Sequence, residues 1–168
     1  MKAFAVSIIL VLANVGGVCP AREFSGPAPT EIRANDNRHA AGVISASRMI
    51  IELEAREGLW YPETHDGPAI RVQAFAERGK ALQVPGPLIR VPEGTRIRAS
   101  VRNLLAEKLV LHGLYTRPGD GKAIIELAPG ERRQVEFDAG APGSYYYWAR
   151  PCRAVRSAGC RLTVMRCC

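Results

Sequence analysis

The stretch from Gln83 to Ala149 constrains the fold more than any other part of this chain. It is a succession of short segments, each cut off by proline or glycine. Val84-Pro85-Gly86-Pro87 and Pro92-Glu93-Gly94 are breaker clusters on either side of Leu88-Ile89-Arg90-Val91. Thr95 to Val101 alternates apolar and polar residues, and Asn103 ends that run. Val110-Leu111-His112-Gly113-Leu114 follows. Ala128-Pro129-Gly130-Glu131 is a turn before Gln134-Val135-Glu136-Phe137, and Gly140-Ala141-Pro142-Gly143 is another before Tyr145-Tyr146-Tyr147-Trp148-Ala149. None of these segments carries a helical period. Strands at intervals of about 8–15 residues with Pro/Gly punctuation predict an all-β sandwich.

The same pattern begins upstream. Met49, Ile51, Leu53 and Ala55 alternate with Arg48, Glu52 and Glu54, which predicts a half-buried strand ended by Gly58-Leu59-Trp60-Tyr61-Pro62. Ile70 to Phe75 alternates again, and Gly79-Lys80 marks a turn. Trp60 is expected in the core or as a lid over it. Residues 22–46 are polar, hold several Pro and Ala, and lack periodicity, so they are expected to be a mobile leader with His39 solvated. His65 lies in the turn-like Thr64-His65-Asp66-Gly67 and is expected to be solvated as well.

Met1-Lys2 followed by the apolar run Ala3 to Val18 has the make-up of a secretory signal. The run falls short of the about 20 apolar residues that a spanning helix needs. Cys19-Pro20-Ala21 offers a cleavage site after Ala21, although Cys19 is an unusual residue three back. A lipoprotein reading of Cys19 is weakened by bulky Val18, and a retained anchor is the alternative. The chain is therefore expected to be secreted or periplasmic, with no membrane association after cleavage.

Charge bears on partners. The formal net charge is +7. All 16 acids lie between Arg22 and Trp148, where they nearly cancel the bases. The excess is Lys2 together with Arg150, Arg153, Arg156, Arg161 and Arg166. No basic stripe interleaved with aromatics occurs, so nucleic-acid binding lacks its electrostatic footprint.

Catalytic constellations are missing. The chain has no Gly-x-Ser-x-Gly, no phosphate-cradling glycine loop and no His-Glu-x-x-His. No catalytic and no organic-cofactor residue is assigned. Tyr145, Tyr146, Tyr147 and Trp148 are expected to fill a sandwich core, since aromatics favour strands. The tail from Arg150 has no acids and carries Cys152, Cys160, Cys167 and Cys168. These suit disulfides in an oxidising compartment better than zinc, whose usual Cys-x-x-Cys spacing is missing.

Taken together, Pro85-Gly86-Pro87-Leu88-Ile89-Arg90-Val91-Pro92-Glu93-Gly94-Thr95, His112-Gly113-Leu114, Leu127-Ala128-Pro129-Gly130-Glu131 and Pro142-Gly143-Ser144-Tyr145-Tyr146-Tyr147-Trp148 resemble the first cupredoxin domain of multicopper oxidases. The resemblance covers roughly residues 35–149, reaching back through Asn35-Asp36-Asn37-Arg38 and Gly58-Leu59-Trp60-Tyr61-Pro62-Glu63. It implies a cupredoxin-like Greek-key sandwich and copper as cofactor. It also implies further cupredoxin domains or subunits as partners. Such domains carry one His-x-His pair on each of two strands, which supply half of a trinuclear copper site. Here the first pair falls on Val110 and His112 and the second on Trp148 and Arg150. His112 is thus the one candidate metal ligand. Nitrogen donors suit copper, but a single imidazole enforces no geometry.

The resemblance stops at Ala149, where it implies a further strand and further domains. The expected organisation is a signal peptide over 1–21, a mobile leader over 22–46, a cupredoxin-like domain over 47–149 and an Arg/Cys-rich tail over 150–168. That tail reads as truncated or frame-shifted text, which would leave the sandwich without its last strand and the chain without oxidase activity of its own. The alternative function is a non-catalytic sandwich that docks partner domains.

Overall fold

The computed structural model describes residues 30–119 and 123–152. All regular structure in them is β. The strands are β1 (Arg33–Ala34), β2 (Val43–Ser45), β3 (Arg48–Trp60), β4 (Ile70–Glu77), β5 (Gln83–Val84), β6 (Arg96–Asn103), β7 (Lys108–His112), β8 (Ile124–Leu127), β9 (Arg132–Asp138) and β10 (Trp148–Cys152). The larger sheet runs β1-β5-β4-β3-β6-β9, with β2 added to β3. The smaller one runs β10-β7-β8. The β-sandwich expected from the sequence is the architecture observed.

Alternation on β3 explains how the sheets meet. Met49, Ile51, Leu53 and Ala55 are buried, while Arg48, Ile50, Glu52 and Glu54 point outward to differing degrees. Ile97, Ala99 and Val101 of β6 extend that inner face. Leu109 and Leu111 of β7, with Ile125 and Leu127 of β8, close on it from the smaller sheet. Fully burying side chains of this size stabilises by about 1.5–3 kcal/mol each. A second, smaller cluster joins Ile32, Ala74, Ala76 and Leu82, with Trp60 packed on it. Trp60 therefore serves as the partly buried cover that the sequence suggested.

Three features differ from the sequence reading. Residues 30–46, expected to be the end of a mobile leader, are paired into the sheet. β1 pairs with β5 in parallel, β2 pairs with β3, and Ile32 is buried. The segment lacks its own period because it contributes edge pairings and single anchors rather than a whole face. Gly58 makes its approach possible: a Cβ there would stand 2.6 Å from the Thr30 carbonyl oxygen and 2.8 Å from Ile32. β3 accordingly runs on through Gly58 to Trp60 rather than ending there. The aromatic run is the third difference. Tyr145 and Tyr146 lie outside any strand and are exposed, and the strand starts at Trp148. Only Tyr147 turns inward, where its hydroxyl donates to Pro87 O at 2.7 Å and its ring meets Phe75. Three consecutive tyrosines cannot all face one core from an extended backbone, because successive side chains alternate sides. The signal, the residues before 30 and the tail beyond 152 lie outside the described residues. No helix among the described residues is long and apolar enough to cross a membrane.

Asn103 ties the two sheets together. It is fully buried at the end of β6. Its side-chain amide donates to the carbonyls of Glu107 (2.8 Å), Leu127 (3.1 Å) and Ala128 (3.2 Å), and its Oδ1 accepts from Leu105 N–H at 3.0 Å. One side chain thus fixes the crossover into β7 and the exit of β8.

The solvent face of the larger sheet carries cross-strand ion pairs. Glu52 accepts from Arg78 at 3.0 Å and from Arg132, whose Nε also reaches Ser100 Oγ at 2.6 Å. Glu136 sits between Arg98 (2.7 Å) and Arg96 (3.4 Å). The hydrogen bond from Arg78 holds the Glu52 carboxyl below its ordinary value of 4.5, with the charges of Arg132 and Arg78 adding to it. Arg98 does the same for Glu136, and for Glu131 the Ala128 N–H leads, ahead of Arg133.

Two outcomes follow from this architecture. Asn103→Ala is expected to cost about 3 kcal/mol, because four backbone groups, two of them in buried hydrogen bonds and two in part-buried ones, lose a partner. Arg102→Ala, on the exposed side of the same strand, is expected to stay within about 0.5 kcal/mol. Urea midpoints of the full chain compare the two. The lowered carboxyls bind fewer protons folded than unfolded, so their contribution is present above pH 4.5 and is lost as pH falls through the lower folded values. Thermal melts are therefore expected to be flat from pH 5 to 7 and to fall below about pH 4.

Candidate functional site

β7 and β10 lie side by side and antiparallel, with Trp148 opposite His112 and Arg150 opposite Val110. The four positions on which the resemblance would put the two ligand pairs therefore form a block two residues wide and two strands deep. Val110 and His112 share one face of β7 because side chains at i and i+2 project together. Trp148 and Arg150 meet them on β10 for the same reason. Cys152, next along that face, is buried and disulfide-bonded; its partner lies outside the described residues. A disulfide sulfur is no thiolate ligand, which removes Cys152 from the zinc alternative.

His112 stacks on Trp148, with ring centroids 4.1 Å apart and planes 12° from parallel. Its Nε2 is buried and makes no hydrogen bond. On the opposite side, Ile124 of β8 pairs with His112 in register. A row Ile124–His112–Trp148 thus crosses the three-stranded sheet, with Ile124 (53%) and Trp148 (51%) exposed at either side.

The turn leaving β7 is built around Arg117. Its guanidinium donates to Gly113 O at 2.8 Å and to Tyr146 O, and lies over the rings of Tyr115 (4.8 Å) and Tyr145 (5.4 Å). Gly113 follows His112 at a φ of +94°, a region open to glycine. A Cβ at that position would collide with the Tyr146 carbonyl oxygen and the Arg117 guanidinium. Beside this turn opens a groove of ≈ 840 Å³ lined by Phe75, Pro87, Tyr115, Arg117, Tyr145 and Tyr147, among others. Burial pushes the Tyr147 phenol well above its ordinary value of 10.

The other two histidines lie elsewhere. His65 is exposed in a separate cleft of ≈ 460 Å³, where its Nδ1 is 3.0 Å from a Glu31 carboxylate oxygen. His39 is exposed too, as expected. Among the described residues no three His, Cys, Asp or Glu side chains converge on one point.

The family model described as multicopper oxidase matches residues 78–161, which is half of the chain. The chain belongs to the multicopper oxidase family. The match spans the whole β7–β10 block and runs past Ala149, where the resemblance seen in the sequence ended. The chain is 29% identical over 126 residues to a probable nitrite reductase-hydroxylamine oxidoreductase fusion protein of Kuenenia stuttgartiensis; the aligned part covers 70% of this chain and 14% of that protein. Among solved structures it is similar to a multicopper oxidase from Campylobacter jejuni, a metallo-oxidase, with a TM-score of 0.49 and 22% identity over 75% of this chain and 26% of that one. A laccase-like multicopper oxidase from Ochrobactrum matches with a TM-score of 0.43 and 23% identity over 75% and 25% of the two chains. The chain thus spans a small part of each of these relatives.

Copper is the metal of this family, yet the described residues of the block do not fit a copper cluster. Val110 offers no donor atom. The Trp148 indole nitrogen carries a hydrogen and only donates. The Arg150 guanidinium stays protonated and repels a cation. His112 alone has the right chemistry, and its Nε2 has no exposed surface.

Sequence reasoning did not single out Arg117, which holds the turn behind these four positions. The signal available was Gly113, since a glycine directly after a strand marks close backbone approach. Gly113→Ala is expected to cost about 3 kcal/mol through positive φ and collision with backbone, against about 1 kcal/mol for Gly79→Ser, which has the positive φ (+76°) but whose Cβ meets open space. Thermal melts of the two variants would compare them.

Proposed function

We propose that this chain serves as a cupredoxin-like domain of a multicopper oxidase relative and does not oxidise a substrate by itself. The observation that supports the reading is the block itself: residues 110, 112, 148 and 150, on which the resemblance would put ligands, lie side by side across β7 and β10 with one imidazole among them. His112 is the residue through which the described part would touch copper, as one donor in a centre completed by other domains or subunits. Intact relatives would reduce dioxygen to water at copper while oxidising a substrate in one-electron steps. This block supplies too few nitrogen donors for that chemistry.

Partner domains are supported by a second observation. Ile124 and Trp148 leave apolar surface uncovered on either side of His112, on the face where the ligand positions lie. A partner domain docked on this face would cover both side chains. Export is supported by the disulfide at Cys152, since such bonds persist in oxidising compartments.

Purified full chain, dialysed against copper and then freed of excess, is expected to hold well under one copper per molecule. It is expected to be colourless and to consume no oxygen with a phenolic donor. Metal analysis, visible absorption and an oxygen electrode read the three outcomes. A blue protein, or sustained oxygen uptake, would overturn the proposal.

A further inference from the structure

We infer that residue 148 decides between an aromatic clasp and a metal site on this sheet: the Trp148 indole stacks on His112 across β7 and β10 where a second imidazole would complete a pair of donors. This deepens the proposal above and rests on it, since it says what leaves the one candidate donor without a second imidazole beside it.

The geometry argues as follows. A metal binds imidazole through the in-plane lone pair, and the nitrogen concerned must be accessible to the ion and its remaining ligands. His112 Nε2 is buried and has no hydrogen-bond partner. Buried polar atoms are normally paired, so an orphan needs an explanation. What holds the His112 ring in place is its face rather than its edge. The partner across the strand is the indole of Trp148, nearly parallel at 4.1 Å, which is a stacking distance. Trp148 occupies a position at which the resemblance placed a ligand, and the register sets it directly opposite His112. Directly opposed cross-strand side chains have Cβ atoms about 4.5–5.5 Å apart, which suits either two stacked rings or two imidazoles sharing an ion. The backbone is therefore competent for a two-imidazole site, and the identity of residue 148 decides between clasp and metal.

Aqueous Cu(II) is the probe. A bound Cu(II) ion quenches a nearby indole, and the chain has two tryptophans, Trp60 and Trp148. In full chain carrying Trp60→Phe, Cu(II) at one to ten equivalents is expected to produce no saturable loss of Trp148 emission. Trp148→Phe, which keeps a stacking ring, is expected to bind Cu(II) no better than its parent. Trp148→His is expected to bind at least tenfold more tightly than the parent in competition with a chromophoric chelator. That gain is expected to vanish in the Trp148→His, His112→Gln double variant. His39 and His65 are common to all variants, so their binding cancels in the comparison. Saturable quenching at one equivalent in the Trp60→Phe chain, abolished by His112→Gln, would overturn the inference. So would a Trp148→His variant with unchanged circular dichroism and no gain in affinity. If that variant does not fold, the quenching experiment still decides. Oxygen uptake or blue colour in the parent chain is a separate result, which counts against the proposed function whatever Trp148 does.

Discussion

Asn103 is the interaction on which the sandwich depends. Two sheets that meet through apolar side chains alone could slide, because burial has no direction. A buried amide with four backbone partners has direction. Asn103 fastens the end of β6, in one sheet, to the loop entering β7 and to the exit of β8, in the other. The offset between the two inner faces is set there. The inward residues of β3 and β6 then fall opposite those of β7 and β8. Everything on the smaller sheet, including the face with His112, inherits its position from this join.

The outer face of that smaller sheet separates what a fold provides from what a site requires. Antiparallel pairing of β7 with β10 brings four positions into one block whatever residues occupy them. Metal chemistry depends on the occupants. Beside His112 the occupants are valine, tryptophan and arginine, which make one stacked ring pair, one apolar contact and one positive charge. Membership of the multicopper oxidase family therefore describes the backbone of this domain. Its chemistry has to be argued from residues 110, 112, 148 and 150 one at a time.

Much of the fold was legible from alternation alone. Met49, Ile51, Leu53 and Ala55 were readable as an inner face because a strand half-buried against a core has to alternate. β4, β6, β7 and β9 carry enough of the same pattern to be placed, and Pro/Gly clusters marked their ends. The short strands were not legible. β1 and β2 hold two and three residues, fewer than a period needs, and they exist because Gly58 and the edges of β3 and β5 receive them. The tyrosine run misled for a related reason. Aromatic residues favour strands, but of the three only Tyr147 is partly buried, its hydroxyl on Pro87 O and its ring on Phe75; the Tyr145 hydroxyl also finds a carbonyl, Ala141 O, with its ring left exposed.

The sequence by itself determined the class of fold and the strand faces, since these follow from spacing and side-chain chemistry; the four positions of the block are what the family resemblance implied. It also determined that only one of those positions can donate to copper. Tertiary structure alone decided that His112 lies against Trp148 with its Nε2 buried, and that Arg117 closes the turn behind it. These contacts join residues from separate strands and loops, and their distances depend on the register of β7 against β10. Register is set by long-range packing and by the join at Asn103, which local periodicity does not encode.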